Sequence, residues 1–519
     1  MKRPLLMMAL FVVTVPTFLQ AADSPFNVGN KAQLFIDKLL VRDSQRVWLT
    51  QHQGKKHPNN PLVKADKPWE GWRISLFGSV LYDEEEKIFK MWYGGSCGQG
   101  GYFPADNVGT NYATSKDGIH WDKPLIGPRR SLNGKPHNSL EIAGGKGYLT
   151  SVMKDPSDPD PQRRYKMIAW THEKRPAKGV GYRTFFSPDG LNWKQHGTHF
   201  ASGPHGDVGD VITGYWDART KQYVAFPKQH FSPWRGHTRR LFYTTTSKDF
   251  TNWSDPVLSW KTDLRDDAGS MARLDRVRPA LDRPDNPKLM RTEFYGIGAY
   301  SAESCTIGFP WVLTVNNDAR YGNQEGPQEV QLAVSRDLVN WERPFRTPVI
   351  PHGDLNAWDA TYHQTASYAI RVGDEIWLYY GGANYTHGTP ALYRPDLHPG
   401  RGTKYTNSIG LVTWKLDRFV SIDSPAEGGT LTTISMTFSG KRLVLNAATK
   451  QGGSIVVELC DAAGRPLKDF SRSAPFSGDD IRAEIVFGEK IDLSSLAGQP
   501  ISLRFHMKNA ELYSFAFRD

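Results

Sequence analysis

Cysteine is scarce: Cys97, Cys305 and Cys460 are the three in 519 residues, far apart and odd in number. That excludes a disulfide framework and leaves buried free thiols as the expectation. No CxxC pair or Cys/His spacing suggests zinc. Beyond about the first twenty residues there is no long apolar run, so no membrane span is expected. No long stretch repeats apolar residues at helical spacing between caps, which excludes a helical architecture. Basic runs are also missing. The net charge of +10 is scattered, and no nucleic-acid-binding module is present.

What the chain does have is turns and rings: 48 glycines, 34 prolines and 12% aromatic residues, the composition of an all-β protein. It opens with Lys2 and Arg3, an apolar stretch from Leu5 to Leu19, and the small pair Ala21-Ala22. Residues 1–22 therefore read as a signal peptide, which implies a secreted or periplasmic protein.

One phrase is written four times: "YATSKDGIHWDKP" (112–124), "FFSPDGLNWKQHG" (185–197), "TTTSKDFTNWSDP" (244–256) and "LAVSRDLVNWERP" (332–344). Each runs from a strand through a polar turn to a tryptophan. Upstream of each lies an apolar strand, a second segment and an aromatic strand, as in "SLFGSVLYDEEEKIFKMWYGG" (75–95) and "DVITGYWDARTKQYVAFPK" (210–228); the fourth unit, 293–315, lacks a clean hairpin signal. A fifth unit, 360–382, closes on the degenerate copy "SIGLVTWKLDRFVSI" (408–422). Repeats of roughly fifty to seventy residues, each with four short strands, predict propeller blades. Trp121, Trp193, Trp253 and Trp341 would then fill the gaps between blades.

The expected organisation is a lead-in at 23–59 that either adds a strand to the last blade or lies outside, a five-bladed β-propeller at 60–424, and a C-terminal antiparallel β-sandwich at 425–519. The sandwich follows from period-two alternation without the tryptophan phrase.

In a propeller the innermost strands converge, so their first residues meet at one mouth of the channel. Counting back from each phrase places Arg73, Asp210, Glu293 and Asp359 there. Glycosidic cleavage needs paired carboxylates, one protonated to release the leaving oxygen and one ionised to attack or to activate water. Asp210, Glu293 and Asp359 are thus the candidate catalytic residues. Candidate substrate-binding residues are Arg73, which suits an acidic group, His205 and Asp207 in the Gly-rich "GPHGDVGD", Trp358, which could stack on a sugar, and His363 on the fifth inner strand. Asp207 is the rival of Asp210. Asp155, Asp158 and Asp160 read as turn residues, since the spacing is not that of an EF-hand.

Five units ending in S-x-D-x-x-x-W, an export signal and a terminal sandwich resemble the five-bladed glycoside hydrolases of families 32 and 43, over residues 60–519. The closing "LRFHMKNAELYSFAFRD" resembles the end of the family 32 sandwich. The resemblance implies a secreted glycosidase acting on an oligo- or polysaccharide, with Glu293 as general acid, Asp210 as base or nucleophile and Asp359 as tuner or stabiliser. It implies no organic cofactor, a structural calcium as in some members, a carbohydrate partner that the basic charge would allow to be anionic, and a monomer. The chain has no "WMNDPNG", so a divergent relative acting on another glycan is expected. Three alternatives stay open: a non-catalytic carbohydrate-binding propeller, a sialidase-like enzyme, and a glycan lyase using Tyr, His or Lys as base.

Overall fold

The computed structural model describes residues 24–70, 73–96, 108–126, 137–140, 142, 147–172, 180–200, 208–319, 324–388, 406–470 and 472–519. These residues are almost entirely β, and among them two short α-helices occur, Leu264–Ala268 and Ser270–Arg276. No helix among these residues is long and apolar enough to cross a membrane.

Antiparallel strand sets follow one another along the chain. The first is Ile74–Asp83, Ile88–Ser96 and Val108–Ser115, with Asp122 bridged to Thr114 at its edge. The second is Gly147–Lys154, Tyr165–His172, Val180–Ser187 and Lys194–Phe200, and the third is Val208–Asp217, Gln222–Trp234, His237–Ser247 and Val257–Trp260. The fourth begins with Arg291–Ser301 and Thr306–Val315. These two do form a hairpin, through residues 302–305, although "AESC" carries no glycine, proline or asparagine to announce it. The fifth is Tyr362–Thr365, Glu375–Ala383 and Asn407–Lys415, joined to the fourth by one parallel pairing of Gln328 with Tyr362. Its outer position is taken by Lys55–Lys56, which pairs with Thr413 and Val412.

The first strand of each set contacts the first strand of the next, and the fifth contacts the first. Small side chains and backbone complete this circle. The Val152 N–H donates to Ser79 Oγ (2.9 Å), Ser151 Oγ to the Gly214 carbonyl (2.8 Å), Thr213 Oγ1 to the Ile297 carbonyl, the Ala299 N–H to the Ser367 carbonyl (3.1 Å), and the Ser367 N–H to the Gly78 carbonyl (2.9 Å). There is little room where these strands meet: a methyl group on Gly298 would lie 2.3 Å from Thr365 Oγ1 of the next first strand. Tyr368 crosses the circle and donates to the Val152 carbonyl (2.8 Å).

The four phrases are one repeated turn. Ser115, Ser187, Ser247 and Ser335 each donate Oγ–H to the aspartate two residues on, at 2.9–3.1 Å. That aspartate accepts the next backbone N–H groups, and the indole of each tryptophan donates to the carbonyl three residues before it. The turn also clasps the preceding strand set. Tyr379 donates to the Gly118 carbonyl, Trp92 to Gly190 and Thr244 to Leu338, all within 2.9 Å.

A second core lies between Val28, Phe35, Leu445, Phe505, Phe515 and Phe517. Ten strands surround it, and their membership differs from the expected boundaries. Phe26–Gly29, Gln33–Leu34, Val41–Gln45 and Trp48–Gln51 all pair with C-terminal strands. Val420–Ser424, assigned to the propeller from sequence, pairs with Trp48–Gln51 and with Ala510–Leu512. Cys305 and Cys460 are buried free thiols; Cys97 lies outside the described residues.

Candidate functional site

Asp210 is the third residue of Val208–Asp217, and its side chain is 36% exposed. Its carboxylate is ion-paired in close contact with Lys228 Nζ from the adjacent strand. The local backbone makes this contact. Pro227 cannot donate a ladder hydrogen bond, and the register slips between Val208 and Ile212. Tyr182 of the second set steadies the bulge by donating to the Val211 carbonyl and accepting from the Lys228 N–H (3.0 and 3.1 Å). The lysine stem crosses Gly209, where a methyl group would lie 2.2 Å from Cε. Burial pulls Lys228 below the ordinary lysine value; Asp210 opposes this and Arg240 adds to it.

Glu293, third residue of Arg291–Ser301, is fully buried. Arg240 Nη1 lies 2.8 Å from one carboxylate oxygen and Arg291 Nε 2.7 Å from the other, and the Arg240 N–H donates at 3.0 Å. Burial pushes the Glu293 carboxyl up, but the two arginines outweigh it and hold it below the usual glutamate value. A general acid needs the reverse. The two arginines favour the ionised form of Glu293.

The two carboxylates belong to one cluster, gathered around the Tyr295 ring. Lys228 Nζ stands 4.7 Å and Arg240 Cζ 5.1 Å from its centroid, and the His387 ring meets it edge-on at 4.8 Å. Arg240 also donates to Gln324 Oε1 (2.7 Å), and the Gln324 carbonyl accepts from His387 Nδ1 (2.5 Å).

Asp359 stands apart. The inner strand begins at Tyr362, so Asp359 lies in the preceding loop, 2% exposed, with Lys56 Nζ at 2.6 Å and the Tyr380 hydroxyl donating at 2.7 Å. None of its described contacts reaches Asp210, Glu293 or their cations. Trp358 covers Gly382 and Gly410 and tilts against Tyr380, so it packs on the sheet. His363 is buried, stacked on His352 at 4.1 Å, with its Nε2 on the Asp359 carbonyl (2.8 Å). The described contacts of these three are packing and ion pairing, away from the Asp210–Glu293 cluster. Arg73 is half-buried immediately before Ile74. His205 and Asp207 lie outside the described residues.

Asp155, Asp158 and Asp160 cap their own turn, with Lys166 Nζ 2.8 Å from Asp158. Among the described residues no group of three or more His, Cys, Asp or Glu side chains is placed to hold a metal ion.

The sequence reading missed Lys228, Arg240, Arg291, Tyr295 and His387. A signal existed for one of them: Arg291 lies two residues before Glu293 on a strand, hence on the same face.

No family model matches the chain, and no curated protein matches it. Solved structures do. A glycosyl hydrolase from Bacteroides ovatus aligns at 14% identity and TM-score 0.41, over 70% of this chain and 94% of that one. A β-1,2-mannobiose phosphorylase from Listeria innocua aligns at 13% and 0.41, over 70% and 97%. A glycoside hydrolase family 43 arabinoxylan arabinofuranohydrolase from Bacillus subtilis aligns at 11% and 0.39, over 90% and 99%.

Proposed function

We propose that this chain is an exported carbohydrate-active enzyme, a five-bladed β-propeller with a C-terminal β-sandwich, that cleaves a glycosidic bond at the mouth of the ring. The observation that carries the reading is the contact of half-exposed Asp210 with buried Lys228, beside buried Glu293. The closed circle of inner strands supports the propeller, and the ten-stranded assembly with its own core supports the sandwich.

Asp210, open to solvent, serves as base or nucleophile toward water or the sugar carbon. Glu293, fully buried, is the counter-ion that holds Arg240 and Arg291 in place within the cluster. Lys228, whose hold on its proton burial loosens, is the proton donor this cluster offers to the leaving oxygen. The test is a polysaccharide panel with wild type, Asp210→Asn and Glu293→Gln. Wild type should release reducing ends and Asp210→Asn should not. Equal release by all three would refute the assignment. Export is tested by fractionation of cells making the full chain.

One observation favours a second reading, elimination. The Tyr295 ring carries Lys228 and Arg240 at its face, and its hydroxyl is the base this reading would use. Elimination leaves a carbon–carbon double bond in the product and consumes no water, so product spectra separate the two.

A further inference from the structure

We propose that the cleft at the outer edge of the second strand set is a second saccharide site, one that binds a neutral glycan chain and does not cleave it. The inference goes beyond the reaction above and does not depend on it.

Place is the first argument. A cleft of about 580 Å³ lies between residues 160–163 and residues 186–196. That volume falls within the range of small-molecule sites. The cleft stands at the end of the strands remote from Asp210. The turn that carries residues 160–163 also carries Asp155, which accepts from the Tyr223 hydroxyl. Tyr223 pairs with Trp216, about 20 Å beyond Asp210 along an extended strand.

Rigidity is the second. The floor is Phe186, buried, with the His196 ring edge-on at 5.1 Å and the Arg163 guanidinium 4.2 Å from its centroid. Arg163 Nη2 donates to the Asp249 carbonyl (3.1 Å), which ties the floor to the third strand set. The buried Trp193 indole donates to the Gly190 carbonyl (3.0 Å). On the opposite wall, Asp155, Asp158 and Asp160 each accept the backbone N–H two residues on, and Pro156, Pro159 and Pro161 fix φ in the same turn. A site built in advance loses little ordering entropy when it binds.

Chemistry is the third. The rim is exposed and polar, with Asp160, Gln162, Asn192 and Lys194 along it. The Gln162 amide, the Lys194 ammonium and the His196 ring nitrogens make no hydrogen bond or ion pair among the described residues. Amides both donate and accept, Asp160 accepts and Lys194 donates. Asp160 opposes an anion at this rim, and Lys194 and Arg163 oppose a cation. Hydroxyls satisfy both kinds of group, because each is donor and acceptor at once. A saccharide presents them in adjacent pairs, and the exposed rim leaves the cleft open to a polymer.

Hydrogen exchange and calorimetry on full-chain Asp210→Asn, chosen to suppress cleavage, test this with arabinan, arabinoxylan, galactomannan and levan, and with polygalacturonate as the acidic control. At least one neutral polymer should bind and slow amide exchange at residues 160–163 and 188–196. Adding Gln162→Ala and Lys194→Ala, both at exposed positions, removes two hydrogen-bonding groups and should weaken that binding about tenfold. No protection there by any of the four neutral polymers overturns the proposal. So does protection undiminished by the two substitutions, or tighter binding there of polygalacturonate. Protection confined to the strands around Asp210 also overturns it and leaves the reaction standing. Protection at the cleft in a protein whose wild type cleaves nothing sinks the reaction and leaves this inference standing.

Discussion

Lys56 reaches across the outer edge of the last strand set and holds Asp359 in an ion pair of 2.6 Å. Asp359 is 2% exposed and Lys56 25%. Removing the lysine strands a buried carboxylate. Lys56→Met should lower stability in urea by about 2–4 kcal/mol, and adding Asp359→Asn should restore part of the loss. Additive losses would show that the pair is not coupled.

Asp359 and Glu293 should separate in activity assays. Asp359→Asn should retain cleavage, since its described contacts are Lys56, Tyr380 and His363. Glu293→Gln should lose both cleavage and about 3 kcal/mol of stability, because two arginines lose their counter-ion. Full loss of turnover in a well-folded Asp359→Asn would return that residue to the reaction.

Asp417 sits in the turn before Val420–Ser424 with φ of +61°, 7% exposed, and burial, then Glu303, push its carboxyl up to about 7. The folded chain therefore holds this proton more tightly than the unfolded chain. Its stabilising contribution is complete below about pH 4 and is lost as pH rises through about 7, by up to about 4 kcal/mol. Asp417→Asn should flatten the fall in melting temperature between those values and be the more stable form in alkali. An unchanged slope would refute the assignment.

Gly118 has φ of +75°, and a methyl group there would lie 2.7 Å from both the Trp377 ring and the Tyr379 hydroxyl. Gly118→Ala should cost about 2 kcal/mol, from backbone strain and lost packing against the fifth set. Phe250 and Leu338 occupy the same turn position at φ of +63° and +68°. Their side chains fill hydrophobic clusters, so the same strain is offset there. Chemical denaturation of Gly118→Ala decides; no loss would mean that the turn does not clasp its neighbour.

The repeated phrase was legible because its chemistry is local. A serine, an aspartate and a tryptophan at fixed spacing close one turn on themselves, and four copies served as a ruler. Counting back from the ruler reached Asp210 and Glu293, each two residues inside its strand. It failed at Asp359 because residues 353–361 form a loop that carries no strand signal, and the strand starts three residues later. The cations around Tyr295 were invisible for another reason. Lys228 reaches Asp210 across a bulge, and His387 meets Tyr295 from 92 positions further along the chain. Both contacts are products of strand pairing, which no short window of sequence contains.

The seam at Lys55–Lys56 sets an order of events. These residues pair with Val412 and Thr413, and residues 26–51 pair with strands that begin at Val420. The ribosome delivers the first partners long before the last, so the early strands wait with unsatisfied edges through most of synthesis. A chain halted before Asn407 lacks the strand that Lys55–Lys56 covers, whatever the quality of its finished sheets. The circle of strand sets and the ten-stranded sheet thus both wait for the last hundred or so residues, and a chain cut short there would keep open strand edges, which favour aggregation.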